Sequence, residues 1–175
     1  TWKLLALQVI FFVLGGLNAE VYSALLLDPQ KIMQGEVWRL FSFVFIPPVL
    51  ELRDAFWFFF AAYFFWIMGS SLEHQWGYFR YNMFWLIGII GTTVLAFFVV
   101  KGPISNAYMG MSLFLAFATL FPDYVIYIFF ILPVRVKYLA YIMAISLVTL
   151  AIKGDLSMRM GILMAFSNYL LFFGP

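Results

Sequence analysis

Apolar residues run along this chain in long blocks that are apolar on every face, separated by shorter polar stretches. A membrane-spanning helix needs ~20 apolar residues, fewer where the bilayer thins around it. Six blocks come near that length: 2–27, 55–71, 79–100, 105–121, 138–152 and 158–173. Gly15, Gly16, Asn18 and Glu20 loosen the second half of the first block, which is too long for a signal-peptide core and reads as a retained span. Pro122 and Asp123 stop the fourth, because proline lacks an amide donor and biases the residue before it away from helix. Tyr124 to Leu132 is apolar but too short to span, and Pro133, Arg135 and Lys137 lead into the fifth block.

The stretch 28–54 breaks the pattern. It carries seven charged residues, Asp28, Lys31, Glu36, Arg39, Glu51, Arg53 and Asp54, together with Phe41, Phe43, Phe45, Ile46, Pro47 and Pro48. Such a mixture suits an interfacial element, with aromatic side chains turned into lipid and charges reaching water.

Composition fixes the medium. With 66% hydrophobic residues, 10% charged and a mean hydropathy of +1.01, a chain of 175 residues has too little polar surface to cover a water-soluble domain. The expectation is one all-α integral membrane domain over 1–175, surrounded by membrane lipid. The net charge of +2 is small and its lysines and arginines are scattered, so no nucleic-acid partner is implied. Cysteine is absent, which excludes disulfides and thiolate metal sites. The lone histidine, His74, suggests no second ligand, so neither a metal nor a cofactor is expected. Aromatic runs at 56–60 and 63–66 are accounted for by lipid-facing side chains, although periodicity cannot separate such a surface from a pigment or quinone pocket.

Among the polar positions, Trp38 and Arg39 read either as an interfacial anchor or as a tether, with the guanidinium donating to backbone carbonyls. Gly69, Glu73 and Gly77 lie four apart and share one helix face, with Glu73 placed to hold nearby backbone amides. Ser112 with Ala116, and Gly161 with Ala165, form small-xxx-small steps suited to close helix contact. Glu20, a carboxylate in an apolar block, is expected near the outer end of the first span, paired or facing water.

In order along the chain, Trp38-Arg39, Gly69/Glu73/Gly77, Gly110-Met111-Ser112 and Leu132-Pro133-Val134-Arg135-Val136-Lys137 resemble the landmarks of the rhomboid superfamily over most of 28–165. The resemblance implies a bundle of six transmembrane helices with a large interfacial first loop, in which the sixth helix packs on the fourth through Gly161 and Ala165. It also implies a departure from protease chemistry. Active members place a serine in Gly-x-Ser-Gly and a histidine base on the sixth span, whereas this chain has Leu113 after Ser112, and Met158 or Arg159 where the base belongs. Neither side chain can take a proton near neutral pH. No His or Asn between 55 and 71 can stabilise an oxyanion. The expectation is therefore a pseudoprotease similar to the derlin branch, with Ser112 vestigial, acting as an adaptor for transmembrane segments of other proteins, in a bacterial inner membrane. The alternatives are a fixed accessory subunit of a larger membrane complex and an intramembrane protease that uses Ser112 with an unconventional base.

Overall fold

Asn18 decides the first turn of the chain. Its backbone is extended, its side chain accepts from the amide of Glu20 at 2.9 Å, and the helix begun at Trp2 ends before it. Asparagine is a strong N-cap because its short side chain satisfies an orphan amide of the following helix. The apolar block 2–27 is thus two helices, α1 (Trp2–Leu17) and α2 (Ala19–Leu25), and not one rod. Glu20 sits exposed in the first turn of α2, where a carboxylate suits the helix dipole.

The computed structural model describes residues 1–47, 55–100, 102–128, 131–154 and 156–173, and the chain is mostly helical. After α2 come α3 (Pro29–Met33), α4 (Arg39–Ser42) and a 3-10 turn (Phe43–Phe45). Asp28 caps α3 and Pro29 opens it, a pairing that needs no amide from the proline. The long α5 (Ala55–Leu95) runs into a π-helical turn (Ala96–Val100), and α6 (Ala107–Leu120), α7 (Val136–Lys153) and α8 (Leu156–Phe173) complete the helices. The remainder of the stretch 28–54, residues 48–54, lies outside the described residues, as does Lys101.

Two of these helical stretches, Ala55–Val100 and Val136–Lys153, are long and apolar enough to cross a membrane. Trp2–Leu17, Ala107–Leu120 and Met158–Phe173 are shorter apolar helices. Within α5 the backbone leaves helical geometry at Gly77, where φ is 76° and ψ is 166°. This region of φ/ψ space is essentially closed to residues with a Cβ. The break divides α5 into two arms, 55–76 and 78–95. Gly69 and Glu73 keep their common face, but Gly77 does not continue it: it is the point where the helix ends.

The chain is not purely α-helical. Val125–Ile128 (β1) and Leu132–Arg135 (β2) pair antiparallel, Val125 facing Arg135 and Ile128 facing Leu132. The short apolar run after Pro122 thus becomes half of a hairpin, its β-branched and aromatic residues suiting a pleated ribbon. Asp123 at its base accepts from Lys137 at 2.7 Å and from Arg135 at 3.3 Å. The Lys137 ammonium, more than Arg135, holds the Asp123 carboxyl below the ordinary carboxylate range.

One apolar core joins the first loop to the helices: Leu27 and Phe43 pack with Leu72, Phe84, Leu113, Phe117 and Val136, all fully buried. A smaller cluster holds α1 to the first arm of α5, where the Phe12 and Phe58 rings stack with centroids 3.9 Å apart.

Two glycine-to-alanine changes test the backbone argument with opposite signs. Gly77→Ala is expected to lower stability by about 1–3 kcal/mol through its φ alone, since nothing lies within 4 Å of the added Cβ. Gly110→Ala, inside α6 with equally open surroundings, is expected to be neutral or to stabilise by up to ~1 kcal/mol. Thermal unfolding in detergent, followed by circular dichroism, reads both.

Candidate functional site

Arg39 is 2% exposed although its charge would ordinarily seek water. It is held inside because all three guanidinium nitrogens find an acceptor. Nη1 donates to the carbonyls of Ser23 at 2.6 Å and Leu26 at 2.9 Å, while Nε and Nη2 grip Oε2 of Glu36, each at 2.6 Å. Ser42 adds a bond to the carbonyl of Leu25 at 3.1 Å. The carbonyls of Ser23 and Leu25 are among those that the C-terminus of α2 leaves without helical partners, so Arg39 and Ser42 close that helix end from across the loop. Trp38 takes no part in this clasp and stands 53% exposed.

A second tie comes from the start of α6. The side-chain amide of Asn106 donates to the carbonyls of Val44 at 3.1 Å and Ile46 at 2.9 Å, and Leu27 and Ile104 exchange backbone bonds at 3.1 and 2.9 Å. Glu73 accepts from the backbone nitrogen and hydroxyl of Thr1, at 2.9 and 2.6 Å, rather than from neighbouring amides. Gly69 lies beside it, and a Cβ there would come within 2.9 Å of the Tyr81 hydroxyl. His74 is exposed one residue on.

Ser112 is completely buried between α6, α8 and the second arm of α5. Its partner is Asn168, also buried, whose Nδ2 donates to Ser112 Oγ at 3.2 Å. Thr92 completes the polar group, its hydroxyl and the Asn168 Oδ1 both lacking a hydrogen-bond partner among the described residues. The void beside them is too small for a water molecule. A carboxamide does not accept a proton near neutral pH, so Asn168 leaves Ser112 an ordinary hydroxyl. Met158 is 46% exposed, and Arg159 donates to the carbonyls of Ile152 and Gly154. Gly161 packs directly beneath the Tyr108 ring, Ala165 lies beside Ser112, and Ala116 is fully buried.

Asn168 escapes sequence reading because a single amide within an apolar helix has no spacing signal. Only its polarity marks it.

Between α1, α2, both arms of α5 and the start of α6 lies a partly open cavity of about 400 Å³. Its wall includes Gln8, Tyr22, Ala61, Phe64, Phe65, Trp85, Asn106 and Gly110, and Ser112 is not part of it. No group of three or more His, Cys, Asp or Glu that could hold a metal occurs among the described residues.

No protein-family model matches the chain, and comparisons with curated proteins and with solved structures find no match either.

Truncating Arg39 to Ala leaves Glu36 and two carbonyls without their donor and is expected to cost about 2–4 kcal/mol. Lysine, which lacks the planar fork, should restore less than half of this in chemical denaturation. In the buried polar group, Ser112→Ala strands the Asn168 amide and should cost ~1 kcal/mol, whereas Thr92→Val removes an unpaired hydroxyl and should raise stability.

Proposed function

We propose that the chain is a multi-pass, rhomboid-like membrane protein that binds transmembrane segments of other proteins without cutting them. The observation that carries this reading is α7. Over its 18 residues only Val136 and Leu147 are buried, while Tyr138, Tyr141, Ile142, Ile145, Val148 and Ile152 are each more than half exposed. A helix this apolar and this bare needs lipid or another apolar helix against it.

Length supports the same reading. At ~1.5 Å per residue, the 14-residue α6 extends about 21 Å, well short of the ~30 Å hydrocarbon layer. A short helix thins the bilayer around it, which lowers the mismatch cost of a partner helix with small or polar residues. Each arm of α5, with its π-helical turn, is long enough to cross alone, so a six-span arrangement is consistent with the helix breaks at Asn18 and Gly77.

The non-proteolytic part of the reading rests on Ser112. A hydroxyl with no access to water, bonded to an amide, has neither a base nor a substrate path.

A photo-crosslinker at Ile145 in α7, with one at Leu170 in α8 as comparison, tests the proposal in native membranes. The expected result is several different membrane proteins captured from Ile145, in ratios below one and varying with expression. One set of partners at constant stoichiometry would replace the adaptor with a fixed subunit of a membrane complex. Labelling by a fluorophosphonate that Ser112→Ala abolishes would reinstate the protease.

A further inference from the structure

Buried amides are bonded in folded proteins, because leaving one unpaired in an apolar setting costs free energy. Gln8 in α1 stands at the edge of this rule. The residue is 4% exposed and no hydrogen bond links its side chain to another described residue, yet its amide is not among the buried polar atoms sealed from every partner, so its polar end reaches open space. It lies in the wall of the 400 Å³ cavity. The same wall holds Phe64, Phe65 and Trp85 from the two arms of α5 and Tyr22 from α2, and Trp85 Nε1 is a buried donor without a partner among the described residues. Asn106, the other amide in the wall, already commits its nitrogen to the carbonyls of Val44 and Ile46 and so is not the free donor. None of the described wall residues is charged.

We infer that this cavity binds a small neutral amphiphile whose polar end is a hydrogen-bond-accepting carbonyl, received by the Gln8 amide and flanked by Phe64, Phe65 and Trp85. Each part follows from a feature of the wall. A charged headgroup would enter without a counter-charge from the described residues, at a desolvation cost that nothing there offsets. A plain hydrocarbon would leave Gln8 unpaired. A carbonyl carried on an apolar body satisfies the amide and covers the rings, and a volume near 400 Å³ is within the range of small-ligand sites. Membranes offer this chemistry from two sources, the ring of an isoprenoid quinone and the ester of a glycerolipid. The inference is independent of α7 and of any partner helix.

The test uses the purified full chain in detergent, titrated with a decyl-substituted benzoquinone, a short-chain diacylglycerol and decylbenzene, and read by calorimetry. Saturable binding of at least one carbonyl probe, with decylbenzene at least fivefold weaker, is the expected result. Whichever carbonyl probe binds more tightly identifies the source. Gln8→Met keeps the side-chain volume without the donor and should weaken the carbonyl probe three- to tenfold while leaving decylbenzene unchanged. Ala61→Phe, which fills the cavity from the first arm of α5, should abolish binding of all three and provides a second reading if the Gln8 variant does not fold. Equal affinity of wild type and Gln8→Met for the carbonyl probes would overturn the inference, as would a failure of both carbonyl probes to saturate.

Discussion

A guanidinium out of water must find an acceptor for each of its donors, and in this chain that requirement organises the first quarter of the molecule. Arg39 draws the end of α2, the turn carrying Glu36 and the start of α4 to one point. Only then can Phe43 and Val44 enter the core while Phe41 and Trp38, on the same short stretch, face outward. The hydrophobic effect alone does not sort them, since all four side chains are apolar. Hydrogen-bond geometry does the sorting, and for a buried guanidinium it is strict because an unmet donor has no water to turn to.

The same logic governs the helices. They are apolar all round, so no amphipathic stripe says which face is inner. Specificity comes instead from backbone exceptions and small contacts: Asn18 ends one helix and begins another, Gly77 folds α5 back, and Gly161 admits the Tyr108 ring. Aromatic packing then fills the remaining space, as where Trp76 meets Phe84 and Phe172 from the second arm and α8.

How much of this was legible follows from the kind of signal each feature leaves. The helices after residue 55 begin and end close to the predicted block limits, because prolines, charges and glycines mark the ends of apolar runs. The break at Asn18 was visible as a loosening, yet capping by a single side chain is a local geometric choice that composition does not reveal. The turn at Gly77 was masked by its own regularity, since a spacing of four suggests a continuing helix face. The hairpin at 125–135 was hidden because a short apolar run bounded by Pro122 and Pro133 reads equally as strand or interfacial segment. Around Ser112, the absence of histidine from 158–173 is plain in the sequence, whereas Asn168 and Thr92 come together only through the packing of three helices. The cavity beside Gln8 has no sequence signature, because an empty space is a property of neighbours that lie far apart in the chain.

The two ties on the first loop differ in a way that bears on how the chain is made. Arg39 reaches back 16 and 13 residues, to Ser23 and Leu26, while Asn106 reaches back 62 and 60, to Val44 and Ile46. A chain emerging from the ribosome therefore holds every partner of the arginine clasp before any of α5 has been synthesised. Closing so short a loop carries little entropic cost. The amino-terminal quarter can accordingly take its shape while the rest is still being translated, and α6 on arrival meets a loop already set, to which Asn106 need only latch.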